Sequence, residues 1–158
     1  MVRFIGMVGQ SRRNFTKMAS WSRTSEHLVN PIGMSDQLKW NNQYIRLPEL
    51  FSKFEEKRIQ GKYNEYLKRL GKYDLLIIDE FLLKPTNESE RSDLLELMEI
   101  RCNKKSTIFC SQYSFDGWHQ LLDGGPIADA ILDRIINSSY LITLHGKSLR
   151  EEYSRIKQ

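Results

Sequence analysis

Tyr73-Asp74-Leu75-Leu76-Ile77-Ile78-Asp79-Glu80-Phe81 is the stretch whose reading decides the fold. Its near-continuous apolar run is that of a strand covered on both faces, as in a parallel sheet flanked by helices. Two adjacent acids end it. Such a strand delivers Asp79 and Glu80 to the carboxyl edge of the sheet, where open α/β folds bind their ligands. Alone, the same string also fits a strand running into an acidic surface turn, so the surrounding elements have to decide.

Before this strand, residues 43–46 read as a short strand closed by Leu47-Pro48. Pro48 suits the first turn of a helix, where its missing N–H costs nothing, and Leu50, Phe51, Phe54 and Arg58 follow helical spacing. Asn64 is placed to cap a second helix carrying Tyr66, Leu67 and Leu70, with Gly71 at its end. After the acids, Asn87 and Glu90 form a capping-box pair, and Leu94, Leu97, Met98 and Cys102, with Leu95, make the buried stripe of the next helix. Residues 106–111 read as a strand, and residues 114–122 as a short helix in which Trp118 is a core residue. Gly124-Gly125-Pro126 breaks the chain and opens a helix reaching Asn137, and residues 140–144 form the last strand. This alternation predicts a parallel, three-layer α/β domain.

Taken together, the segment around Asp79-Glu80, then Ser106-Thr107-Ile108-Phe109-Cys110-Ser111-Gln112, Asp116-Gly117-Trp118-His119 and Ala128-Asp129-Ala130-Ile131-Leu132-Asp133-Arg134 resembles the IstB-like ATPases. These are AAA+ P-loop NTPases, related to the DnaC helicase loaders, that assist transposition of insertion sequences. Tyr44-Ile45-Arg46-Leu47-Pro48-Glu49-Leu50 looks like the family's second strand and following helix, and the resemblance runs from about Tyr44 to Arg150. It implies that Asp79-Glu80 is a Walker B pair, with Asp79 holding magnesium through its water shell and Glu80 the catalytic base. It further implies a sensor at Ser111 or Gln112, and in Arg134 a finger offered to a neighbouring subunit's ATP, hence self-association. The alternatives to these roles are a strand cap for Ser111-Gln112 and an ion pair with Asp129, Asp133 or another acid for Arg134. Arg150 matches a weaker family motif. The implied partners are DNA and a transposase.

One family part is missing. ATP binding in this fold depends on G-x-x-x-x-G-K-[ST] after the first strand, whose backbone N–H groups surround the phosphates. The nearest stretch is Phe4-Ile5-Gly6-Met7-Val8-Gly9-Gln10-Ser11-Arg12-Arg13, which follows a possible strand at residues 2–8 but has no Gly-Lys-Ser/Thr. Lys17 lies too far along, and an Arg does not simply replace the P-loop Lys. In the P-loop sheet order 5-1-4-3-2 the first strand is central. The expectation is therefore that residues 2–8 fill that place or that the product folds poorly.

Charge and texture mark the same boundary. Residues 1–43 hold six Lys/Arg against Glu26 and Asp36, so the whole formal excess of +4 falls there, while residues 44–158 are neutral. The division is an atypical basic segment, 1–43, ahead of an IstB-like core, 44–158. Clustered cations invite a nucleic-acid reading; Trp21 and Trp40, in the same segment, read as ordinary packing residues. A shifted or truncated reading frame in a decaying transposon gene also accounts for the break. The cysteines, Cys102 and Cys110, lack metal-ligand spacing and read as small buried hydrophobes, and the three histidines are scattered. No run approaches the roughly 20 apolar residues of a membrane span, and no signal segment is evident, which leaves a cytoplasmic expectation. Two other functions remain open: a non-catalytic relative that binds protein or DNA, and a DnaC-type helicase loader.

Overall fold

The computed structural model describes residues 3–8, 41–137 and 139–144. Five strands form one sheet: β1 (Arg3–Val8), β2 (Asn42–Arg46), β3 (Leu75–Asp79), β4 (Ser106–Ser111) and β5 (Ser139–Leu144). Five helices accompany them: α1 (Leu47–Ile59), α2 (Tyr63–Lys72), α3 (Glu88–Arg101), α4 (Phe115–Leu121) and α5 (Gly125–Ile136). The spatial order is β2-β3-β4-β1-β5, so the amino-terminal strand occupies the central place the resemblance implies.

Its direction is the surprise. β2, β3 and β4 pair in parallel, but β1 is antiparallel to both β4 and β5. Two physical causes favour the reversal. Antiparallel ladders are slightly more stable per residue than parallel ones. A reversed β1 also ends, at Val8 paired with Thr107, on the edge where β2 begins, at Asn42 paired with Leu75. The connection then needs no crossing of the sheet's full height.

Alternation along the strands sorts the core. Ile45, Leu76, Ile78 and Phe109 join the helices' buried residues in one cluster. Leu75, Ile77 and Ile108 point to the other face and are also buried, as the continuous apolar run requires. The described helices thus make one of the layers. α3 opens with the complete capping box, Asn87 accepting from the Glu90 N–H and Glu90 from the Asn87 N–H. Gly71 does not end its helix: α2 continues to Lys72. A Cβ there would lie 3.1 Å from Ile100 Cδ1, so the glycine serves close approach of α2 and α3. Asn64 is likewise inside the first turn, with Lys62 at the cap. Cys102 and Cys110 are free thiols, only half-buried.

Two polar knots tie the helices. Asp93 of α3, nearly fully buried, pairs with Arg58 of α1 and accepts the Tyr63 hydroxyl at 2.8 Å. Arg101, 1% exposed, ends α3, with Asp74 near enough to act on its charge. Its guanidinium donates to Thr107 Oγ1 and to the carbonyls of Leu70, Tyr73 and Ser106. It clasps the end of α2, the approach to β3 and the start of β4. Burial lowers its pKa to about 10, which leaves it charged at neutral pH. Among the described residues no helix is long and apolar enough to cross a membrane.

Candidate functional site

Asp79 closes β3 opposite Arg46 of β2, at the carboxyl edge of the parallel strands. Both its oxygens are engaged: Oδ1 accepts the Glu80 N–H at 2.8 Å and Oδ2 accepts the Tyr44 hydroxyl at 2.7 Å. Each oxygen keeps a second lone-pair direction, so the carboxylate is oriented without being used up. Glu80 sits in the left-handed region, φ 54°, and so does Leu82, φ 52°. A non-glycine residue there carries strain of the kind that collects at functional sites. What holds it is local: the Phe81 N–H donates to Cys110 O at 2.8 Å, and Phe81 is buried against Phe109 and Trp118. The Glu80 carboxylate stays exposed, 4.0 Å from Arg46 Nη1. Beside it lies a shallow depression, lined by Leu47, Pro48, Phe51, Leu83 and Pro85 among others.

Tyr44 was not singled out by sequence, although a tyrosine two residues before the end of the strand beside β3 was the available signal. Burial first, and its bond to Asp79 second, push its phenol up to about 12 from an ordinary value of 10.0. Burial pushes Tyr66 to about 12 as well, and burial with the Asp93 bond raises Tyr63. Stability contributed by these phenols is complete below pH 10 and is lost as pH rises through about 12. Denaturant midpoints measured at pH 9 and pH 11.5 should show the loss, and Tyr44→Phe should make it shallower.

The two sensor candidates differ in setting. Ser111 is buried, and its Oγ accepts Trp118 Nε1–H at 2.9 Å and the Tyr113 N–H at 3.2 Å. Gln112, the next residue, is exposed at the carboxyl edge. Arg134 lies in the last turn of α5, half-buried, donating to Ala130 O at 2.8 Å and to Glu99 Oε1 at 3.1 Å. The Cys102 thiol donates to its carbonyl, so Arg134 belongs to the amino edge, away from Asp79 and Glu80. The structure therefore brings Asp79, Glu80, Ser111 and Gln112 to one edge and leaves Arg134 at the other. Arg12, Arg13, Lys17, Trp21, Trp40 and Arg150 lie outside the described residues.

The reversed β1 bears directly on the phosphate half. Val8 pairs with Thr107, which pairs with Leu76, three residues short of Asp79. That is roughly 10 Å along the strand, and the chain is heading away from the acids. A loop that begins at the end of β1 therefore starts from the wrong edge to cradle a phosphate facing Glu80. The acid half suits magnesium, which is commonly held by one or two carboxylates together with nucleotide phosphates. Among the described residues no group of three or more acids, histidines or cysteines gathers for a metal, and no glycine-rich loop faces the pair.

An α/β core of P-loop strand order, with adjacent acids ending the strand beside β4, defines the class as P-loop NTPase. Within that class the match is specific: the model of the family described as IstB-like ATP binding protein covers residues 39–156, and the chain belongs to this family. Among its relatives is y4pL of Sinorhizobium fredii, named as an insertion sequence ATP-binding protein. It is 41% identical over 112 residues, which is 71% of this chain and 46% of the relative. The ATP-binding protein of insertion sequence IS232 from Bacillus thuringiensis is 30% identical over 125 residues, 78% of this chain and 50% of the relative. That of IS21 from Pseudomonas aeruginosa is 28% identical over 112 residues, 71% of this chain and 42% of the relative. The chain spans about half the length of the curated relatives it matches.

Proposed function

We propose that the chain acts as an IstB-like helper of transposition, working with a transposase on DNA, and that its ATP site is built from the acid side. The observation that carries this reading is the Asp79-Glu80 pair, bonded in place at the carboxyl edge within a chain of that family. Magnesium-ATP would supply the phosphoanhydride and a divalent charge. Asp79, held by Tyr44, would hold the metal's water shell, and Glu80, exposed and fixed by its backbone, would take a proton from the attacking water. Gln112 is the better placed sensor, because Ser111 Oγ already accepts two inward bonds. Arg134 is too far round the sheet to serve its own site. A role in a neighbouring copy requires it to leave Glu99, an exposed pair of small worth.

The direction of β1 favours a second reading: a non-catalytic module in which residues 1–43 replace the family's phosphate loop and residues 44–158 keep its surfaces. A helicase-loading role differs in partner only, and the relatives' names point to insertion sequences. Calorimetry and a phosphate-release assay test the acid-side site. Magnesium-ATP should bind in the millimolar range, about −4 kcal/mol. Glu80→Gln should leave that affinity nearly unchanged and cut any turnover by about a hundredfold or more. Micromolar affinity in the wild type would mean that the phosphate half is present after all. Turnover unchanged in the variant would remove Glu80 from its role.

A further inference from the structure

The sheet's amino edge has a chemistry of its own. α2 and α3 both end there, joined through Arg101. On this corner stand five cations, Lys68, Arg69, Lys72, Lys104 and Lys105, against Glu65, Asp74 and Glu99, the last of them paired with Arg134. Lys105 is committed to Asp74 at 2.6 Å, and Arg69 lies over the Tyr66 ring, 5.0 Å from its centroid. Lys68, Lys72 and Lys104 are exposed and make no ion pair with any described residue. Part of this charge has a plain structural use, since cations near helix carboxyl ends offset the helix dipole. That use accounts for residues in the last turn. It does not account for Lys104, beyond the end of α3, or Lys68, a turn earlier in α2.

We propose that this corner is a contact surface for the phosphodiester backbone of a nucleic acid, the unpaired lysines Lys68, Lys72 and Lys104 each meeting a phosphate. Charge alone would equally suit an acidic peptide or an anionic bilayer; the missing apolar anchor decides. The exposed large hydrophobic side chains among the described residues are Ile59, Tyr113, Ile136 and Leu141; Ile136, at the end of α5, shares the amino edge, but it is a lone side chain only 37% exposed and makes no apolar patch. Peptide grooves and bilayer surfaces draw on buried apolar area, whereas backbone contact to nucleic acid runs on counterion release. The proposed surface needs only the three lysines.

This inference rests on the DNA-helper reading and adds to it the face that meets the backbone. The test is fluorescence anisotropy of a 30-base-pair random-sequence duplex with the full chain, at 50 to 200 mM KCl. Three phosphate contacts give a salt slope of about 2.7 in log units, so the wild type should lose about fortyfold more affinity over that range than Lys68→Ala/Lys72→Ala/Lys104→Ala. A control with Lys53→Ala and Lys57→Ala, on α1, should match the wild type, and circular dichroism should show all three proteins equally folded. Duplex binding with the same affinity and slope in the triple variant would overturn this face while leaving the DNA-helper reading standing. No wild-type binding to the duplex would overturn both. Binding only to phosphatidylserine vesicles would replace the nucleic acid with a membrane.

Discussion

Arg101→Ala is expected to destabilise the fold by about 3–5 kcal/mol, read as a fall in the urea midpoint. The guanidinium donates to three carbonyls in the interior, those of Leu70, Tyr73 and Ser106, and it also meets Thr107 Oγ1. Truncation removes its bonds at once and leaves the acceptors facing a void. Water entering that void softens the loss, which keeps the figure within the stated range instead of above it. Arg101→Lys separates charge from shape. An ammonium on a flexible stem cannot reach acceptors spread around a planar fork, so it should recover less than half of the loss. With a total stability typical of a small domain, about 5–15 kcal/mol, the alanine variant should be partly unfolded at 37 °C. A midpoint within about 1 kcal/mol of the wild type would show that the clasp is dispensable.

Trp118→Ala is expected to cost about 3–5 kcal/mol as well, for a different reason. The indole is fully buried, with the rings of Phe81, Phe109 and Phe115 at 4.8, 6.2 and 5.0 Å between centroids. It therefore backs the turn that holds Glu80, because Phe81 is both its neighbour and the residue after the acid. Trp118→Phe keeps most of the apolar contact but loses the Nε1–H bond to Ser111 Oγ, a change of about 1–2 kcal/mol. In a double-mutant cycle with Ser111→Ala the two should couple, since each removes the other's partner. Additive effects would mean that the Trp118–Ser111 bond contributes little. Loosening this wall should also raise hydrogen exchange at the Phe81 amide, which reports on the site without any nucleotide.

Much of this was legible because it is local or periodic. The run ending in Asp79-Glu80 announced a strand buried on both faces, and Asn87 with Glu90 announced the helix after it. The spacing of Leu94, Leu97 and Met98 gave its inner face. What escaped depends on chain segments far apart in sequence. Nothing around Tyr44 says that its hydroxyl reaches a carboxylate 35 residues on, and nothing around Arg101 says that four acceptors will surround it. Gly71 was misplaced because a glycine near a helix end suggests a cap, while its use here is to admit Ile100. Strand direction escaped for a deeper reason: a short apolar segment offers the same backbone donors and acceptors read either way.

That reversed strand also sets a timetable for synthesis. Arg3–Val8 is made before the other four strands, yet its two partners in the sheet are the fourth and fifth, ending at Ser111 and Leu144. At about 5–20 residues per second the segment waits roughly 7 to 27 seconds before both neighbours exist. Until β4 emerges the apolar segment has no partner in the sheet, and until β5 follows it can be paired on one side only. The centre of the finished sheet is thus the place where the growing chain is most open to a wrong partner.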